Sequence, residues 1–123
     1  KKAVERLQFI GIEISLFIDP DIATVKASAK LGVEAVEFHT GTWVSAKGVA
    51  KERQWKRLVR AAKMAHSLGV GVHAGHGLDY EHTKKIRKLP FLREVNIGHS
   101  LVCYALKDGL KASVRKMKTC LQG

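Results

Sequence analysis

Three short segments of this 123-residue chain place proton-moving and anion-holding groups at the ends of apolar runs: Val36-Glu37-Phe38-His39-Thr40-Gly41, Val72-His73-Ala74-Gly75-His76-Gly77-Leu78 and Val95-Asn96-Ile97-Gly98-His99-Ser100. A carboxylate and imidazoles together can serve as general acid and general base. Glu37 stands at the end of an apolar run, where an ionised side chain is costly unless it is partnered or used, so a proton-transfer role is favoured over a structural ion pair. His76 lies between Gly75 and Gly77, where a reactive side chain is a better reading than a simple turn residue. Gly77, Gly98 and His99 are candidates for holding phosphate, because glycine lets an anion approach backbone N–H groups closely and Ser100 opens a helical pattern whose N-terminus favours negative charge.

The elements that must carry these groups follow from periodicity. Each run is too short for a buried helix, is rich in β-branched residues and is followed by Gly or Thr and then a helical pattern, which marks a strand feeding a βα loop. An amphipathic piece over Ala3 to Gln8 precedes a strand from Ile12 to Ile18, closed by Asp19-Pro20-Asp21. Asp21 is the expected N-cap of a helix from Ile22 to Leu31, stopped at Gly32. A second strand covers Ala35 to His39, followed by a long loop from Thr40 to Ala50 and a helix from Glu52 to Leu68. A third covers Gly71 to His73, with a helix from Tyr80 to Lys88 ending before Pro90. A fourth covers Glu94 to Ile97, leading into helical stretches Ser100 to Leu106 and Leu110 to Leu121. Four βα units form either a small open parallel sheet or half of a barrel that needs roughly 250 residues to close. In both, ligands bind at the carboxyl ends of the strands.

Composition narrows the class. With 46% hydrophobic residues, the chain can bury one core, roughly two-thirds of the surface of its unfolded form. No apolar run approaches the roughly 18 residues of a membrane span, and no signal-peptide pattern opens the chain. It starts at Lys1-Lys2 without Met, already inside a helical pattern, so an excised piece of something longer is expected. Cys103 and Cys120 fit neither a C-x-x-C motif nor a disulfide framework, which points to a reducing cytoplasm. Of the +11 formal charge, much lies on predicted helices (Arg53, Lys56, Arg57 and Arg60 on one, Lys84, Lys85, Arg87 and Lys88 on another). Such faces are mostly solvated; they concentrate small phosphorylated substrates as well as they would DNA. Without a recognition helix, an RNA-binding aromatic signature or zinc-finger spacing, specific nucleic-acid binding is not expected.

The remaining residues have plainer readings. His39 and His73 are as readily satisfied by backbone hydrogen bonds as used in catalysis, and His66 and His82 fall in helical patterns as surface residues. Asp19 and Asp21 read as helix caps, and Cys103 and Cys120 as small apolar fillers. Trp43, in the expected long loop, could shield a substrate, while Trp55 packs between helices.

The phrases Ser15-Leu16-Phe17-Ile18-Asp19-Pro20-Asp21, Glu37-Phe38-His39-Thr40-Gly41, Ala74-Gly75-His76-Gly77-Leu78 and Asn96-Ile97-Gly98-His99-Ser100 resemble, in order and at similar spacing, the second half of bacterial pyridoxine 5′-phosphate synthases. The resemblance covers essentially the whole chain and implies a single unit over residues 1–123, the C-terminal half of a TIM (β/α)8 barrel. It implies an enzyme without metal or organic cofactor, which condenses 1-deoxy-D-xylulose 5-phosphate with 3-amino-2-oxopropyl phosphate to form the vitamin B6 ring. Carried over position by position, Glu37 assists proton transfer and stabilises charge, His76 donates a proton, and Gly77, Gly98 and His99 hold a phosphate. His73 departs from the family, which more often has Asn there. The family's first four strands supply further proton acceptors and substrate-binding residues with no counterpart here, so the chain is expected to be an incomplete active site.

Its expected partners are therefore phosphorylated small molecules, and either the missing N-terminal half-barrel or a second copy, with homo-oligomerisation expected and neither nucleic acid nor membrane. Two rival readings stand beside this one. His39, His73, His76 and His99 could converge on a transition metal, or the chain could be a non-catalytic half-barrel scaffold that binds phosphate weakly and self-associates through its unpaired edge strands.

Overall fold

The structure, a computed structural model, describes residues 1–122. A short helix α1 (Lys2–Phe9) leads into four parallel βα units: β1 (Ser15–Ile18) and α2 (Ile22–Lys30), β2 (Ala35–His39) followed by α3 (Gly41–Ser45) and α4 (Gly48–Ser67), β3 (Gly71–Gly75) and α5 (Tyr80–Ile86), then β4 (Leu92–Asn96) followed by α6 (His99–Asp108) and α7 (Leu110–Gln122). The strands lie in the order β1-β2-β3-β4, each pairing in parallel with its sequence neighbour. The expected α/β fold of parallel βα units is therefore the observed one, and it has the layout of part of a (β/α)8 barrel.

Strand alternation divides the sheet into two unlike faces. Val36, Phe38, Val72 and Ala74 point to one side and join Val25, Leu58, Ala61, Ala62 and Ala65 from α2 and α4 in a continuous buried core. Phe38 alone, wholly buried, contributes about 1.5–3 kcal/mol by leaving water. The opposite face carries Ser15, Phe17, Glu37, His39, His73 and Asn96. It is polar and open, and Phe17 is 55% exposed there. In a closed barrel that face is the interior, filled in layers by strands from all round the ring.

Several boundaries differ from expectation, among them β4, which runs Leu92–Asn96 rather than Glu94 to Ile97, and three of the shifts have clear physical reasons. β1 starts at Ser15 rather than Ile12 because Ser15 is the first residue opposite β2, facing Ala35. The expected loop from Thr40 to Ala50 is instead α3 and the first turn of α4. It folds back because Trp43 is buried, only 2% exposed, against Trp55 with ring centroids 5.5 Å apart; Trp43 is part of the core rather than of an open loop. β3 runs on to Gly75 because it is paired on both sides there, with His39 and with Asn96.

Candidate active site

Glu37 lies at the centre of the polar face, opposite Phe17 of β1 and His73 of β3. Its Oε2 accepts a hydrogen bond from Asn96 Nδ2 at 2.9 Å, so the end of β4 orients a carboxylate carried by β2. The carboxylate passes over Gly75 so closely that a Cβ there would run into Glu37 Oε1, and would also come within 3.0 Å of Asn96 O. Glycine at 75 is what leaves room for the side chain.

One step further along the strands, His39 and His76 stack with ring centroids 4.5 Å apart and planes 25° from parallel. Phe17 closes on His39 edge-on at 5.3 Å. His76 itself has φ 76, in the left-handed region that costs a non-glycine residue of order 1–3 kcal/mol unless its surroundings impose it. Buried Thr40 imposes it: its N–H donates to Gly75 O at 2.9 Å, and its hydroxyl lies 2.8 Å from Gly75 O and 2.6 Å from His76 O, sharing one proton between two carbonyls. Gly77 follows at φ +74, so two successive left-handed residues turn the loop back on itself and carry His76 outward.

Beside this turn a cleft of about 370 Å³ is lined by His76, Gly77, Leu78, Asn96, Ile97, Gly98, His99 and Ser100. The Ser100 hydroxyl donates to Leu78 O at 2.6 Å and ties the loop after β4 to the loop after β3. Gly98 caps α6, which starts at His99, one residue before expectation. The unpaired N–H groups of its first turn open beside the cleft, where a phosphate would be favoured. A Cβ on Gly98 would meet nothing within 4 Å, so a larger residue there would fill open space rather than disturb packing within the chain.

Behind the turn, Asp79 caps α5 and its Oδ1 accepts from the His82 backbone N–H at 2.8 Å. Lys51 Nζ lies 3.0 Å from His82 Nε2 and donates to Val44 O at 3.3 Å. An ammonium has only protons to offer, so His82 Nε2 accepts and its Nδ1 donates to Asp79 Oδ1 at 2.8 Å. Burial pushes the Asp79 carboxyl up, but the His82 backbone N–H and ring outweigh it and hold it below the ordinary value. His82 and Lys51 thus brace α4 against the loop that bears His76, and His82 is not the free surface residue the sequence suggests.

His76, Gly77, Gly98 and His99 follow the carboxyl ends of β3 and β4, as expected, whereas Glu37 is the middle residue of β2 and reaches the end of β3 only through its carboxylate, which lies over Gly75. The four histidines do not converge on a metal: His39 and His76 stack, His73 Nδ1 faces Ser15 Oγ at 3.5 Å and Glu94 Oε1 at 4.0 Å, and His99 Nε2 faces Cys103 Sγ at 3.7 Å. Among the described residues no group of three or more His, Cys, Asp or Glu is placed to hold a metal ion. Cys103 is exposed, so it is no apolar filler, whereas Asp21 caps α2 as expected, accepting from Thr24 N at 3.0 Å. Sequence reasoning gave no role to Asn96, Gly75 or Gly41. Their only sequence signal is their place inside the same glycine-flanked phrases.

Parallel βα units with carboxylate, imidazole and glycine gathered on one rim have the layout of part of a (β/α)8 barrel. The family of pyridoxal phosphate biosynthesis protein PdxJ matches residues 1–123, and the chain belongs to that family. Similar proteins include pyridoxine 5′-phosphate synthases of Bdellovibrio bacteriovorus, 64% identical over 119 residues, 97% of this chain and 49% of that protein, and of Geobacter sulfurreducens, 46% identical over 116 residues, 94% of this chain and 48% of that protein. That of Legionella pneumophila is 43% identical over 123 residues, 99% of this chain and 50% of that protein. The chain spans about half the length of the curated relatives it matches. Among the described residues no helix is long and apolar enough to cross a membrane.

Proposed function

We propose that these 123 residues act as one unit, the C-terminal half of the barrel of a cytoplasmic pyridoxine 5′-phosphate synthase, and join 1-deoxy-D-xylulose 5-phosphate to 3-amino-2-oxopropyl phosphate. The observation that carries this reading is the meeting of the Asn96-held Glu37 carboxylate, the outward-turned His76 and the Gly77/Gly98/His99 cleft at one rim, in a chain of the PdxJ family. A phosphate seats against the first turn of α6 and the backbone at Gly77 and Gly98, with His99 beside it. Glu37, acceptor of one hydrogen bond and open on its remaining lone pairs, takes and returns protons and offsets positive charge as the ring forms. His76 delivers a proton to a departing hydroxyl in a dehydration step. Neither metal nor organic cofactor takes part. The opposite wall comes from an N-terminal half-barrel, and the assembled protein is a homo-oligomer.

The test is a chimera in which these residues replace the matching stretch of the Bdellovibrio bacteriovorus relative. The chimera should form pyridoxine 5′-phosphate, and Glu37→Gln and His76→Asn should each lower turnover by about 10²-fold or more while changing KM far less. An inactive chimera, or near-full turnover in both variants, would refute the assignment and leave the non-catalytic scaffold reading, which the free edges of β1 and β4 favour.

A further inference from the structure

We propose that His39 is a positioning residue: it holds the His76 imidazole in its working orientation through a stacked ring pair that only glycine at position 41 leaves room for. The inference rests on the reading of His76 as proton donor. His76 is exposed, in a turn, with its backbone fixed through Thr40 but, among the described residues, no hydrogen bond to its ring. A side chain so placed would sample several rotamers, and a proton donor is useful in only one of them. What restrains the ring is the face of His39, 4.5 Å away and 25° from parallel. His39 is a firm support: it ends β2, pairs with Gly75, and meets the edge of Phe17 at 5.3 Å.

Two details separate this role from ordinary packing or direct proton transfer. His39 Nδ1 is buried and, among the described residues, without a hydrogen-bond partner, so what His39 gives its neighbour is a flat ring rather than a hydrogen bond. And the pair closes over Gly41, where a Cβ would come within 2.8 Å of His39 Cε1 and 2.8 Å of His76 Cδ2. Gly41 has no left-handed backbone, so alanine fits the main chain there and acts by wedging the two rings apart. The stack can thus be broken from two sides, once by removing His39 and once with His39 still present.

In the chimera, His39→Ala and Gly41→Ala should each lower kcat by about 10- to 10²-fold with KM changed by less than about threefold, and His39→Phe, which restores a flat ring without nitrogens, should return kcat to within about threefold of the parent. In the 123-residue chain, NMR should find the His76 ring protons shifted by the ring current of residue 39 in the parent and in His39→Phe, and unshifted in the two alanine variants. If His39→Phe is as damaging as His39→Ala, a nitrogen of His39 is what matters and positioning is refuted. Full turnover in Gly41→Ala with the ring-current shift lost would refute it equally. Should His76→Asn prove fully active, the reading of His76 fails, while the ring-current shifts still establish or refute the stack by themselves.

Discussion

Gly75→Ala is the sharpest probe of how Glu37 is held. The new methyl group would occupy the space of Glu37 Oε1 and press on Asn96 O at 3.0 Å. The main chain of β3 is no obstacle, because Gly75 has an ordinary extended conformation, and replacing a strand glycine by alanine is by itself favourable by roughly 0.5–1 kcal/mol. Against that gain stand an overpacking cost of about 1–3 kcal/mol and loss of the partly exposed Asn96–Glu37 hydrogen bond, worth about 0.5–1.5 kcal/mol. The balance is a destabilisation of about 0.5–4 kcal/mol. Most of it should vanish when Glu37 is already alanine, since only the contact with Asn96 O then remains. Urea unfolding of the parent, both single variants and the double variant forms the required cycle. In the chimera, displacing the carboxylate by an ångström or more should also cost turnover about 10²-fold. Additive stability losses across the cycle, or an active Gly75→Ala, would mean that Glu37 does not lie over Gly75 and that the glycine serves something else.

Other outcomes follow from the same geometry. Gly98→Leu should abolish binding of inorganic phosphate measured by calorimetry, whereas replacing Lys84 and Lys85 by alanine should weaken it only in low salt; equal losses would make the binding diffuse electrostatics. Asp79→Ala should cost about 0.5–2 kcal/mol at neutral pH by removing the α5 cap. Because the folded carboxyl lies below its ordinary 3.8, its contribution is complete above that value and lost as pH falls through the folded one; the gap between parent and variant should close on acidification, as thermal melts would record. In sedimentation, the isolated chain should self-associate through β1 and β4, each with one unpaired side. A dilute monomer with slow amide exchange in both edge strands would refute this.

The strands were legible because each apolar run coincides with one pairing register, most clearly at Ala35–His39. The places of His76, Gly77, Gly98 and His99 were legible for a related reason: they sit where those runs end, while Glu37 lies within its run. What escaped reading is what depends on contacts distant in sequence. Thr40 to Ala50 carries Gly41 near its start and Gly48 near its end and looks like a loop, but burial of Trp43 against Trp55 organises it into helix. The Asn96 bond to Glu37 spans 59 positions, and nothing local in either strand announces it. His82 looks like a surface residue until Lys51, 31 positions earlier, is placed beside it.

The packing around Trp43 also gives the chain an optical reporter. Trp43 and Trp55 are its two tryptophans, and they lie together. His82 stands edge-on to Trp43 at 5.4 Å, and the Lys51 and Lys85 ammonium groups lie 5.5 Å from Trp43 and 4.9 Å from Trp55. Tryptophan emission from this chain therefore originates at a single spot, close to the turn where a Cβ on Gly77 would touch Val44. Ammonium and imidazole neighbours quench indole, so small movements of α4 relative to that turn alter brightness before any unfolding shifts the colour. A colourless ligand settling on the far side of the turn can be followed without a label.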